Sequence, residues 1–314
     1  MSIKHEEVLY KNYGNCLKIT TQKVEVLVTL DIGPRIISYR LLDGENIFFE
    51  DTERLLFVNN EDTDKMFFKG ATWYGLGGHR LWRSPESFST YYPENNPVEY
   101  KVSKNVFTFN QEKQIYNDVK LTITLSFLDE VQLKFEGMIT NKSNEDKTLS
   151  SWSISMCKGP GLEIVKLPKD ETGFVPQRSY SFWGFGAKNN DSRAYYGENY
   201  FALKMEPGNQ NAFKIGMRVN NDSVLYLTGK SAFVKKVYRY DDLLYPDNNV
   251  NYETYTKDLF MELETLSPLK TLKPNESVTQ TEVWSLSKLE DEIPVSLNEK
   301  ELNRLFEKYA NKKG

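Results

Sequence analysis

The chain of 314 residues contains only two cysteines and two histidines, and it has no long apolar run. Each scarcity excludes a class of protein. Cys16 and Cys157 lie far apart, so neither a disulfide framework nor a thiolate metal site is expected. His5 and His79 are the only imidazoles, which rules out a multi-histidine zinc centre; a metal site would need oxygen ligands, and no metal or cofactor is assigned. No stretch reaches the ~18 consecutive apolar residues of a membrane span, and the opening MSIKHEEVLYKNYG lacks the apolar core of a signal peptide. A cytoplasmic protein with no membrane partner is therefore expected. Basic charge is short as well. Lys and Arg number 40 against 44 Asp and Glu, a formal net charge of -4, so no positive field would draw in nucleic acid. Phosphate-loop spacing is missing too, because Gly75, Gly77 and Gly78 fit neither the nucleotide nor the dinucleotide pattern. The acidic run Glu61-Asp62-Thr63-Asp64 leaves room for a cation but reads as a solvated turn.

What the chain does have is aromatic and β-branched sequence. Aromatics make up 13%, led by 19 Tyr and 18 Phe, which favours sheet and supplies rings for stacking on a ligand. Val24, Val26 and Val28 alternate, Ile36 to Leu41 resumes the run, and Asp43-Gly44 marks a hairpin turn. Leu121, Ile123, Leu125 and Phe127 form one face of a longer strand whose other face is Thr122, Thr124 and Ser126. Similar patterns recur to Trp284. Helical spacing occurs only at the end, over 298–312, where Asn298 and Glu301 suggest a capping box and Leu302, Leu305, Phe306 and Tyr309 an apolar stripe. With no linker or repeat, residues 1–314 read as one all-β domain of antiparallel sandwich type closed by a C-terminal helix. Residues 50 to 70 and 166 to 199 break the strand rhythm, and the first of these is expected to be a long loop or lid.

Two tracts concentrate candidate chemistry. In Phe260 to Thr265, Glu262 and Glu264 stand two residues apart, about 6.5 to 7 Å along one strand face, where each carboxylate could raise the pKa of the other. The same alternation also fits a solvated sheet face, with Met261, Leu263 and Thr265 turned inward. In residues 71 to 97, His79, Arg80, Trp82, Arg83, Glu86, Tyr91 and Tyr92 follow the glycines. They offer a forked donor, stacking faces and a proton near neutral pH, or alternatively a structural loop with an arginine tied to a carboxylate.

The late combination of YPD, ETYT, ELET and LKPNES before a strand ending in Trp resembles the galactose mutarotase-like superfamily, as does the early GPRIISYRLLDGENIF. With GGHRLW, the chain looks closest to a bacterial family of unknown function within that superfamily. The resemblance implies a large two-sheet antiparallel β supersandwich whose concave face takes a small-molecule sugar or oligosaccharide. It implies aldose 1-epimerase chemistry, in which a base removes the anomeric hydroxyl proton while an acid protonates the ring oxygen. Leu263-Glu264-Thr265 matches the motif of the base, so Glu264 inherits that role and Glu262 stands beside it. The acid histidine's motif matches at Leu149 to Ser153, where Trp152 stands in its place. Indole cannot release a proton at neutral pH, so His79, or a group such as Tyr92, would have to act. Arg80, Arg83 and Asp247 are then expected as substrate contacts, with Glu86, Trp82, Trp152 and Trp183 around them. Two alternatives stay open: a sugar-binding protein without turnover, using Trp82, Trp152 and Trp183 as platforms, and glycoside cleavage with Glu86 or Glu253 joining a carboxylate pair.

Overall fold

The computed structural model describes every residue except 175, 187–189, 241–242 and 312–314. Alternation of apolar side chains gives strands with one dry face, and such faces must be buried against each other. Among the described residues two antiparallel sheets do this, one of eleven strands and one of ten. Most of the candidate site residues lie on the first. Its middle is ordered Ile36–Leu41, Gly78–Ser84, Lys147–Lys158, Phe260–Leu266, Tyr252–Lys257, Phe213–Met217. The second sheet centres on Ser231–Val237, Ser277–Lys288, Gln132–Asn141 and Val119–Phe127. This is the all-β, two-sheet antiparallel architecture expected.

The main core lies between the sheets. Leu121, Ile123, Leu125 and Phe127 point into it as one face, together with Met261 and Leu263 from the other sheet. Trp284 is its largest fully buried side chain. Charges are buried there as well. Lys235 and Glu282, both fully buried, pair at 3.1 Å. Lys235 Nζ also donates to the Leu263 carbonyl at 2.9 Å, and Glu282 accepts from the Thr265 hydroxyl and from Trp284 Nε1. A buried pair is tolerable only with such surrounding hydrogen bonds.

The helix Glu299–Tyr309 packs Leu302, Leu305, Phe306 and Tyr309 on Leu162, Ile164, Ala202, Leu225 and Leu227, the outer face of the ten-stranded sheet. Its expected end at 312 lies outside the described residues. Asn298 caps it, accepting from the Glu301 backbone at 3.0 Å; the Glu301 carboxylate turns instead to Arg304.

Residues 50 to 70 are more ordered than their sequence suggests. Phe57–Val58 pairs with Trp73–Tyr74 in a small separate ribbon, and Glu61–Met66 is a helix capped by the Asn60 side chain. Helix is thus not confined to the C-terminus. The acidic run that read as a solvated turn is the first turn of this helix, where carboxylates suit the dipole.

Candidate functional site

Strand parity builds the site. The register aligns Arg80, Ile154, Glu264 and Glu253 in one row across four strands, and Met156, Glu262, Tyr255 and Lys214 in the next. Trp82 and Trp152 form a third row. All of these project from the face of the eleven-stranded sheet opposite the core, so the outward-facing carboxylates of the sequence reading do face away from Met261 and Leu263. They are not solvated, however. Glu264 is fully buried, and the Glu262 side chain is 12% exposed.

Over this face lies a cavity of about 360 Å³. Its floor and walls include Arg80, Trp82, Trp152, Lys214, Tyr255 and Glu262, while Leu56, Phe57, Val58 and Trp73 from the ribbon close one side. The connection 50 to 70 therefore contributes part of the rim. Trp73, Trp82 and Trp152 form a continuous stack, with ring centroids 5.6 Å and 5.4 Å apart. Tyr91 meets Trp73 and Trp82 edge-on, and its hydroxyl donates to Glu86 Oε1 at 2.6 Å. The Arg80 guanidinium lies 4.6 Å from the Trp82 ring, a cation–π contact.

The charges on the floor are coupled. Lys214 Nζ donates to Glu264 at 3.1 and 3.3 Å and lies 2.9 Å from Glu253 Oε2. That last approach is ionic only, because neither Glu253 oxygen has a well-aligned hydrogen bond. Lys214 also sits 4.9 Å from the Trp152 and Trp183 rings. Burial opposes its charge, but Glu264 and Glu253 outweigh burial and hold its pKa above the ordinary value. Burial raises Glu253 and Glu264, against the pull of Lys214. Glu262 is pushed up to about 7, by burial first and by Glu264, against Arg80 and Lys214. Its only side-chain bond among the described residues is from Arg80 to Oε1 at 3.4 Å.

The expected acid is elsewhere. His79 shares a strand face with Leu81, and both enter the core. Its ring stands edge-on to Phe135 and Trp284 at 4.3 and 4.6 Å, and Nδ1 pairs with the Ser155 hydroxyl at 2.8 Å. Burial and the nearby Lys235 charge push its pKa well below 6.5. A neutral core imidazole on the far side of the sheet cannot face Glu264 across the cavity, so the expectation that placed it there is corrected. Arg83 falls on the same side as His79 and bonds Ser89 and Asn117. Tyr92 packs on Phe67 at 5.5 Å, away from the cavity its neighbour Tyr91 lines. Asp247 lies in a left-handed turn with φ 52 and offers its backbone carbonyl to Ser181. Trp183 does not line the cavity and, among the described residues, meets the site through Lys214. Glu264, Glu262, Arg80, Trp82, Glu86 and Trp152 are brought together.

Sequence reasoning missed Lys214, Trp73 and Tyr255. Lys214 carries no local signal beyond alternating with Phe213 and Ile215. Among the described residues no group of three or more His, Cys, Asp or Glu side chains could hold a metal ion, and no helix is long and apolar enough to cross a membrane.

No protein-family model matches the chain, and no curated protein matches it. Solved structures do. A galactose mutarotase-like protein from Lactobacillus casei is similar at 11% identity with a TM-score of 0.55, over 87% of this chain and 100% of that one. A galactose mutarotase related enzyme from Lactobacillus acidophilus gives 12% identity and a TM-score of 0.52, over 93% of this chain and 100% of that one. A proposed aldose 1-epimerase from Klebsiella pneumoniae gives 10% identity and a TM-score of 0.58, over 99% of this chain and 88% of that one. Their identity is too low to carry a reaction across, and their agreement is in the path of the chain: the protein has the galactose mutarotase-like fold.

Proposed function

We propose that this is a carbohydrate-active protein that binds one sugar ring in the tryptophan-walled cavity and interconverts its anomers. The observation that carries this reading is Glu262, a carboxyl with a pKa of about 7 in the lining of a cavity of about 360 Å³. A site of that size falls in the range of about 300–1,000 Å³ usual for small ligands. Stacked indoles favour the apolar face of a pyranose, and a carboxyl titrating near neutrality suits general acid–base work. As carboxylate, Glu262 takes the anomeric hydroxyl proton while the ring C–O bond breaks; the ring oxygen is protonated from solvent at the mouth. The free aldehyde rotates and closes on either face. Glu264, the base by motif, is tied to Lys214, and its part here is to anchor that ammonium.

A second reading is binding without turnover. It is favoured by the position of His79 in the core and by Trp152, which leave no imidazole at the cavity.

One-dimensional proton NMR of freshly dissolved α-anomers of glucose, galactose and xylose tests both. The expected result is faster growth of the β signal, lost in Glu262→Gln and kept in His79→Leu, with a rate that rises with pH through about 7 as Glu262 ionises. Line broadening without acceleration would establish the binding reading instead. No effect on any sugar would sink both.

A further inference from the structure

The cavity does not end at Lys214 and Tyr255. A second concavity of about 560 Å³, a groove lined by Asn190, Gln210, Asn211 and Lys257, adjoins it, and Phe185 lines both. Two chain segments run from one to the other. Tyr255 lines the cavity and Lys257 the groove, two residues apart on the strand Tyr252–Lys257 and so on the same face. Lys214 and Ala212 repeat the relation one strand over, where Lys214 is the register partner of Tyr255. Two residues along a strand span about 6.5 to 7 Å, a step comparable to that between adjoining rings of a glycan.

The groove differs from the cavity in its chemistry. In the cavity, Arg80 and Lys214 are committed to carboxylates. In the groove, the side-chain amides of Asn190, Gln210 and Asn211 make no hydrogen bond and the Lys257 ammonium makes no ion pair among the described residues. Asp191, the acid in its lining, is held by Arg193 through Nε at 3.0 Å and Nη2 at 2.7 Å. An amide sets a donor beside an acceptor, which is what a sugar hydroxyl pairs with, and it carries no charge. Water satisfies exposed amides in the free protein, so their openness alone marks no site; their place beside the cavity does. At the junction Phe185 is 67% exposed, and its ring meets no other ring or cation among the described residues. A lone exposed phenyl is ordinary on a protein surface. One that stands between two concavities offers an apolar face to a ligand that bridges them.

We propose that the ligand is an oligosaccharide with a free reducing end, whose terminal ring occupies the cavity while the ring linked to it crosses Phe185 into the amide-lined groove. The inference rests on the sugar reading above. Anomerisation needs a free hydroxyl on C1 of the ring in the cavity, so the rest of the glycan must leave through another carbon. A monosaccharide would fill the cavity and leave the groove to water.

The test is calorimetric titration of the full chain with glucose, xylose and galactose, each beside disaccharides that end in it. Maltose, laminaribiose, cellobiose and gentiobiose serve for glucose, xylobiose for xylose and β-1,4-galactobiose for galactose. At least one disaccharide should bind about tenfold more tightly than its parent, as one or two hydrogen bonds exchanged for water would give. Its alditol, in which the terminal ring is open, should lose that gain. In Phe185→Ala, and in the double variant Gln210→Ala with Asn211→Ala, the ratio of disaccharide to monosaccharide affinity should fall towards one. Disaccharides that bind no more tightly than their parents overturn the inference and leave the sugar reading standing. A preference that survives both variants overturns the groove as its source, and one that the alditol keeps overturns the orientation. Failure of every sugar on the panel to bind overturns the reading and the inference together.

Discussion

At the scale of single residues, the site depends on which face of a strand each side chain takes. Glu262 illustrates the energetic consequence. Its folded pKa is about 7, above the ~4.3 of an exposed glutamate. The native state therefore holds a proton that the unfolded chain has released between those values. A raised carboxyl contributes stability that is complete below its unfolded pKa and lost as pH rises through its folded one. Urea unfolding of the wild type should accordingly show stability falling between about pH 4.5 and 7, and Glu262→Gln should flatten that part of the profile. A curve of unchanged slope in the variant would mean that Glu262 is not the proton's holder. Parity also explains what was legible and what was not. Glu262 and Glu264 could be placed on one face because spacing by two is local information. The same rule, applied to Gly78–Ser84, separates Arg80 and Trp82 from His79 and Arg83, so the signal against His79 was present in its own strand. Imidazole chemistry makes His79 a candidate acid, but the direction of its side chain from the strand decides where the ring goes.

At the scale of elements, the strand Phe213–Met217 matters out of proportion to its five residues. Through Lys214 it neutralises Glu264 and Glu253 on the two strands that follow it in the sheet. Lys214→Met fills similar space and removes only the charge, leaving two buried carboxyls to face each other. Breaking a buried pair in this way costs about 3–5 kcal/mol. Chemical denaturation at pH 8 should show a loss of that order, shrinking towards pH 5 as the carboxyls take up protons. No sequence pattern announced this tie, since Lys214 lies in the chain 50 residues from Glu264. Tertiary pairing alone creates it, which is why the carboxylates were readable and their counter-ion was not.

At the scale of the whole molecule, the two-sheet antiparallel architecture was legible from alternation and the family-like motifs, whereas the closure of the cavity was not. Part of its rim comes from a ribbon that the charged composition of residues 50 to 70 concealed. The C-terminal helix was legible because its stripe is strongly periodic, and it carries a prediction of its own. Leu302, Leu305 and Phe306 are fully buried against the back of the ten-stranded sheet. Leu305→Ala should cost about 2–5 kcal/mol in a urea melt. Since the helix packs on the outer face of the ten-stranded sheet and the cavity lies on the outer face of the other, the affinity for any sugar bound under the proposal above should not change. A matching loss of affinity in a protein that remains folded would show that the helix reaches the site.

The cavity's two kinds of wall differ in how freely they can change. Each floor residue shares its strand with neighbours that fill the core: Glu262 with Met261 and Leu263, Arg80 with His79 and Leu81, and Lys214 with Phe213 and Ile215. An insertion or deletion there would turn core residues outward and shift the charges at once. Among the described residues the strand Phe57–Val58, which follows Leu56, is paired only with Trp73–Tyr74 and belongs to neither sheet. In a lineage carrying this fold, the rim can therefore lengthen, shorten or change composition while the floor persists. Chains of this architecture should differ in the size and shape of ligand they admit before they differ in the polar groups that meet it.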